Sequence, residues 1–169
     1  LAPAYHAALA QDVPVRPAAI LNLGGVANIT VIGRDGELIA CDTGPASAMI
    51  DDWCQARTGQ PFDADGALAA TGAVRDDIVA AWLQHPFFAL PPPKSLDRNA
   101  FDADLVGGLS AEDGAATLTA FSAAAVAAIL PHLPEPPGLW IASGGGRRNA
   151  TLLAMIADKV GAPVLPAEE

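Results

Sequence analysis

Three short stretches of this sequence combine residue types that could do chemistry. The first, Leu21-Asn22-Leu23-Gly24-Gly25-Val26-Ala27-Asn28-Ile29-Thr30, sets two glycines between two apolar runs. Glycine removes the side chain where a bulky anion must approach, and the backbone N–H groups can then donate to phosphate oxygens. The same pair would serve an ordinary hairpin turn equally well. The second stretch, Leu139-Trp140-Ile141-Ala142-Ser143-Gly144-Gly145-Gly146-Arg147-Arg148-Asn149, reads as a buried strand that ends in three glycines and opens a helix. A nucleotide can lie against bare backbone there, near the partial positive charge of a helix N-terminus. A dinucleotide fingerprint fails in detail: Asn149 stands where the third glycine belongs, and no acid follows at the expected spacing. A hydrolase nucleophile elbow fails because Ile141 stands where glycine must precede Ser143. A purely structural glycine turn stays open. The third stretch, Ala40-Cys41-Asp42-Thr43-Gly44-Pro45, closes an apolar strand with a carboxylate, a frequent placement for taking a proton from a hydroxyl. The alternative is that Asp42 or Thr43 only caps the helix that follows.

The elements that must position these residues follow from periodicity. Short apolar runs at 18–23, 28–33 and 38–41 read as three strands, with Asp35-Gly36 as the positive-φ turn between the last two. They form an antiparallel meander, and the third strand is expected to stop at Asp42. A helix follows with Pro45 in its first turn and Met49, Ile50, Trp53 and Cys54 on one face; Thr58-Gly59-Gln60-Pro61 ends it. Residues 58–112 are richer in Gly, Pro and Asp, with short helices near 66–70 and 76–84 and an extended Pro91-Pro92-Pro93 stretch. They read as a mainly helical insertion on a core domain. Helix and strand then alternate: a helix over 115–130 led by Asp113, a strand at 139–142, a helix over 149–159 and a strand beginning at 163–165. Residues 1–17 read as a lead-in, ended by Pro14 and Pro17. The order β-β-β-α-(helical insert)-α-β-α-β predicts an α/β fold with a mixed sheet. It matches the ribonuclease-H-like half of actin-like ATPases.

Bulk properties narrow the function. The 169 residues, 51% of them hydrophobic, can bury one core, so a single partial domain over 1–169 is expected. A net charge of −10 argues against nucleic acid as a partner. Cys41 and Cys54 lie in apolar stretches, and His6, His85 and His132 lack ligand spacing, so no metal site is expected from them. No run reaches the length of a membrane span and no signal pattern opens the chain, so a soluble, cytoplasmic protein is expected. The chain begins with Leu1, as expected of a fragment.

Taken together, 21–30, Asp42-Thr43-Gly44-Pro45, Pro91-Pro92-Pro93-Lys94-Ser95 and 143–149 resemble the successive signatures of the anhydro-N-acetylmuramic acid kinase family. The opening Ala2-Pro3-Ala4-Tyr5-His6 is similar too, and the likeness runs the length of the chain. The resemblance implies an actin-like fold and ATP-dependent phosphorylation of the 6-oxygen of 1,6-anhydro-N-acetylmuramic acid, with water opening the anhydro ring, for cell-wall recycling. It puts the general base on Asp42 and nucleotide contacts on Asn22, Gly24, Gly25, Gly144, Gly145, Gly146 and Asn149. Where many superfamily members carry an acid, Asn22 would orient a phosphate or a magnesium-bound water. It puts substrate contacts on Thr43, Gly44 and Ser47, and implies Mg2+ held mainly through phosphates and water. Ala46-Ser47 replaces the family's Gly-Asn, and Leu96-Asp97 replaces Thr-Gly before Arg98. Family members are longer, with an N-terminal lobe carrying the first phosphate loop, a C-terminal helix and a homodimeric assembly. This chain would be the C-terminal lobe and inactive alone. The alternative is an actin-like module that holds nucleotide without catalysis, which would have no use for Asp42 and its flanking residues.

Overall fold

A computed structural model of the chain describes residues 14–167; most of the expected lead-in lies outside them. Five strands form one sheet: β1 (Ala18–Leu23), β2 (Val26–Ile32), β3 (Leu38–Pro45), β4 (Leu139–Ser143) and β5 (Val164–Pro166), in the order β3-β2-β1-β4-β5. The β1–β2 and β2–β3 pairs are antiparallel, while β1–β4 and β4–β5 are parallel. Alternation decides the buried face. Leu21, Leu23, Ile29, Val31, Trp140 and Ala142 share one core with Ala123, Val126, Leu152 and Ile156.

Among the described residues there are five α-helices: α1 (Ser47–Thr58), α2 (Ala67–Thr71), α3 (Asp76–Leu83), α4 (Ala111–Ala127) and α5 (Ala150–Val160). Between α1 and α4 the regular elements are helices and 3-10 turns, with no strand. Their apolar side chains, among them Ile78, Trp82, Phe87 and Val106, form a second core against α1 and α4. Helix α4 is apolar all round because it lies between the two cores: Ala123 and Val126 face the sheet, Leu118 and Phe121 the other helices. Trp82 stacks on Phe121 with ring centroids 4.7 Å apart.

Four expectations change. Strand β3 runs on to Pro45, so Pro45 ends a strand and does not open α1. Helix α4 starts at Ala111, where Ser110 accepts from the Asp113 N–H as the cap; the Asp113 carboxylate instead accepts from Ala73 N at 2.8 Å. The stretch Ala111–His132 is long and apolar enough to cross a bilayer, with a mean hydropathy of 1.6, but 78% of that window is buried inside the fold. Finally, α1 has Ala46 at its N-cap with no side-chain cap, so neither Asp42 nor Thr43 serves there.

Candidate functional site

The parallel pairing of β1 and β4 sets Asn22 opposite Ser143. Strand β4 ends at Ser143 and β1 one residue after Asn22, so the Gly24-Gly25 turn and the Gly144–Gly146 turn leave the same end of the sheet. The two loops touch: a Cβ on Gly144, at φ +75°, would fall 2.5 Å from Asn22 Oδ1 and 2.8 Å from the Leu23 carbonyl. Helix α1 is stitched to the first loop. Ser47 donates to the Gly24 carbonyl from its N–H at 2.9 Å and its hydroxyl at 2.8 Å, and Ala46 N–H donates to Gly25 O at 3.0 Å.

Hairpin register adds a residue that the motifs had not singled out. Asn22 pairs with Asn28, and Asn28 pairs with Asp42. Cross-strand partners point to one face, so Ser143, Asn22, Asn28 and Asp42 form a polar row across four strands. That face is opposite to the one bearing Leu21 and Leu23. A two-residue turn at Gly24-Gly25 would set 22 against 27; the observed register is centred on Gly25, with Val26 in the loop, and sets it against 28.

Asp42 lies within β3, not at its end. Its N–H donates to Lys94 O at 3.0 Å, and its Oδ2 accepts from Leu96 N at 2.8 Å. It lines a cavity of about 440 Å³ together with Asn28, Thr30, Cys41, Lys94 and Ser95. Burial pushes the Cys41 thiol up to about 11, with the Lys94 charge lowering it and the Asp42 charge raising it slightly. Burial likewise lowers the Lys94 ammonium below the usual lysine range.

Two of the expected substrate contacts are placed differently. The ladder between β2 and β3 shifts at Ala27/Asn28, which leaves Thr43 as the extra residue. Thr43 is 1% exposed, with its hydroxyl 3.4 Å from Ala27 O. Gly44 is pressed on α4, where a Cβ would come 2.6 Å from the Ala125 Cβ. Neither lines a cavity among those described here.

Beside the glycine loops is a second cavity, about 270 Å³, lined by Ser47, Asp51, Phe62, Gly145, Arg148 and Asn149 among others. Asn149 Oδ1 accepts from Leu152 N at 2.8 Å, capping α5. A Cβ on Gly145 would meet nothing within 4 Å, so its backbone stands open. Asp63 also borders the space, but its carboxylate is taken by Leu68 N and Ala69 N at 2.8 and 3.0 Å. Burial, then the charge of Asp52, raises the Asp51 carboxyl above the usual carboxylate range, with Arg98 pulling it back and Asp63 adding to the rise.

The anhydro-N-acetylmuramic acid kinase family model matches residues 1–167. The kinase of that name from Paramagnetospirillum magneticum is 54% identical over 171 residues, covering 99% of this chain and 48% of its own length. Among solved structures, xylulose kinase from Rhodospirillum rubrum superposes with a TM-score of 0.61 at 18% identity, covering 95% of this chain and 37% of the other. The activator of the 2-hydroxyisocaproyl-CoA dehydratase from Clostridium difficile, with bound ADPNP, gives 0.57 at 13%, covering 92% and 55%. These likenesses establish an actin-like fold, and the chain spans about half the length of the curated relative. A match over nearly every residue shows that this chain belongs to the anhydro-N-acetylmuramic acid kinase family.

Proposed function

We propose that this chain is the catalytic-base half of a kinase that phosphorylates 1,6-anhydro-N-acetylmuramic acid with ATP, opening the anhydro ring with water. The observation that carries the reading is Asp42, a carboxylate on the cavity wall, one polar row away from the glycine loops. The open backbone at Gly145 and the contact of Gly144 with Asn22 form a cradle that a side chain would fill, which suits a nucleotide. Bound ATP supplies the γ-phosphoryl group. Backbone N–H groups of Gly24, Gly25 and Gly144–Gly146 would hold its phosphates, while Phe62, Asp51 and Asn149 line room for its base and ribose. Among the described residues no three His, Cys, Asp or Glu side chains converge. Mg2+ would ride on phosphate oxygens and water, with Asn22 orienting one such water.

In this reading Asp42 takes a proton from water as the water oxygen bonds to the anomeric carbon. The bond from that carbon to the 6-oxygen breaks, and the 6-oxygen bonds to the γ-phosphorus as ADP leaves. Phosphoryl transfer depends on positioning and charge stabilisation from both sides of the nucleotide. This chain supplies one wall, so alone it should bind ATP weakly and show no turnover. In the whole enzyme Asp42→Asn should keep the fold and lower kcat by about 10²–10⁴-fold, the usual worth of a general base. Near-normal turnover with ATP and sugar saturating would reject the assignment and leave a nucleotide-holding module.

A further inference from the structure

Residues 90–103 form neither helix nor strand, yet their middle is fixed on Asp42 from two sides. Lys94 O accepts the Asp42 N–H, and Leu96 N–H donates to Asp42 Oδ2 at 2.8 Å. A backbone donor on a carboxylate makes a short, charge-assisted bond that sets the orientation of the group. It occupies Oδ2 and leaves Oδ1 as the oxygen to receive a proton. A segment without a ladder of its own can hold that geometry only if it is anchored elsewhere.

The anchor is the Lys94 side chain. Its ammonium donates to the Phe87 carbonyl at 3.1 Å and rests over the Phe87 ring, 4.3 Å from the centroid. Phe87 is 5% exposed and packs edge-on to Phe88, within the second core. The segment is thereby pinned to a fixed point of the fold at the same residue whose carbonyl meets Asp42. An apolar side chain could fill the space but could not bond the carbonyl. We propose that Lys94 is a positioning residue for Asp42, acting through the backbone of residues 94–96 to aim the carboxylate at the cavity. The proposal rests on Asp42 being the base, as argued above.

Two other roles for Lys94 predict different kinetics. A direct grip on the acid group of the sugar would appear in KM. A role in fold stability alone would act whatever stands at position 42. The experiment measures kcat and KM in the whole enzyme for Lys94→Met, Lys94→Arg, Asp42→Asn and the Asp42→Asn/Lys94→Met double variant. Lys94→Met should lower kcat about 10–100-fold, the scale of a small misplacement of a reacting group, with KM for the sugar changed less than about threefold. Lys94→Arg keeps a cation and a donor and should recover most of the loss. In the Asp42→Asn background, Lys94→Met should cost nothing further. An equal fold-loss in both backgrounds, or a rise in KM with kcat kept, overturns the positioning role. Turnover retained by Asp42→Asn instead sinks the base assignment, and the positioning role with it. If Lys94→Met does not fold, Lys94→Ala, which also removes the donor to the Phe87 carbonyl, goes through the same comparison with the same deciding outcomes.

Discussion

Asn22 and Gly144 meet across two adjacent parallel strands so closely that there is no room for a single carbon between them. A Cβ on Gly144 would stand 2.5 Å from Asn22 Oδ1. The backbone there, φ +75° and ψ −178°, also belongs to a region that side chains avoid. Sterics and backbone conformation thus demand glycine independently, at the point where the two candidate phosphate loops join.

Gly144→Ala is therefore expected to cost about 1–3 kcal/mol in stability, from strain and displacement of Asn22. It should also weaken ATP binding by the whole enzyme. Urea unfolding and a nucleotide titration on the same preparation check this. Unchanged affinity in a folded variant would separate this junction from the nucleotide.

Much of this arrangement was legible locally. Asp35-Gly36 marks the β2–β3 turn, Gly59 ends α1 in the left-handed conformation, and Met49, Ile50 and Trp53 are buried as their spacing requires. The errors also have physical causes. Thr43-Gly44-Pro45 reads as a strand breaker, but the bulge at Thr43 and the close packing of Gly44 on α4 keep β3 running through it. Ser110 does not stand out as a cap in the sequence, because the alanines of α4 carry no period to show where the helix begins. The return of Leu96 to Asp42 joins residues 54 positions apart and leaves no local trace. Asn28 is found only once the hairpin is known to be centred on Gly25, because a turn on the two glycines alone would point to Ala27.

The contact of Gly44 with Ala125 gives a second prediction. Gly44→Ala drives β3 into α4 and should cost about 1–3 kcal/mol, the usual range for overpacking a tight core. Ala125→Gly opens the same space at the expense of helix propensity. Its cost should be smaller in the Gly44→Ala background than in the parent, because the pair shares one steric conflict. Additive costs in thermal unfolding would mean that β3 and α4 are not pressed together at this point.

Cys41 makes stability depend on pH at the alkaline end. Its thiol sits at 9.0 when unperturbed and is pushed up to about 11 in the fold, chiefly by burial. Between those values the folded chain holds a proton that the unfolded chain has lost. The contribution is therefore complete below pH 9 and is lost as pH rises through about 11. Allowing for partial contact with solvent, the expected loss is about 1–2 kcal/mol relative to a Cys41→Ala variant. Denaturant midpoints for both proteins at pH 8 and pH 11 test it. Parallel changes in the two would assign the alkaline loss to other groups.

Asp51 and Asp63 border the same cavity but should answer differently to mutation. Both oxygens of Asp63 hold backbone donors, Leu68 N and Ala69 N, at the start of α2, and the residue is 7% exposed. Removing it strands one buried and one part-buried N–H group, so Asp63→Ala should cost about 1–3 kcal/mol. Asp51 makes no such bonds to α2, and its carboxyl is raised by burial and by the neighbouring charges of Asp52 and Asp63. Ionised Asp51 is a mild burden on the fold, so Asp51→Asn should leave stability unchanged or slightly improved, most visibly at neutral pH where the charge is present. If the cavity receives the base and ribose of ATP, an acceptor facing it is useful only with ligand bound. Asp51→Asn should then weaken ATP binding by about 3–30-fold, the difference between a hydrogen bond to a charged acceptor and one to a neutral acceptor, with no loss of stability. Isothermal titration with ATP and chemical denaturation, run on both variants of the whole enzyme, provide the comparison. A stability loss from Asp51→Asn as large as that from Asp63→Ala would place Asp51 in the fold and leave the cavity without its ribose acceptor.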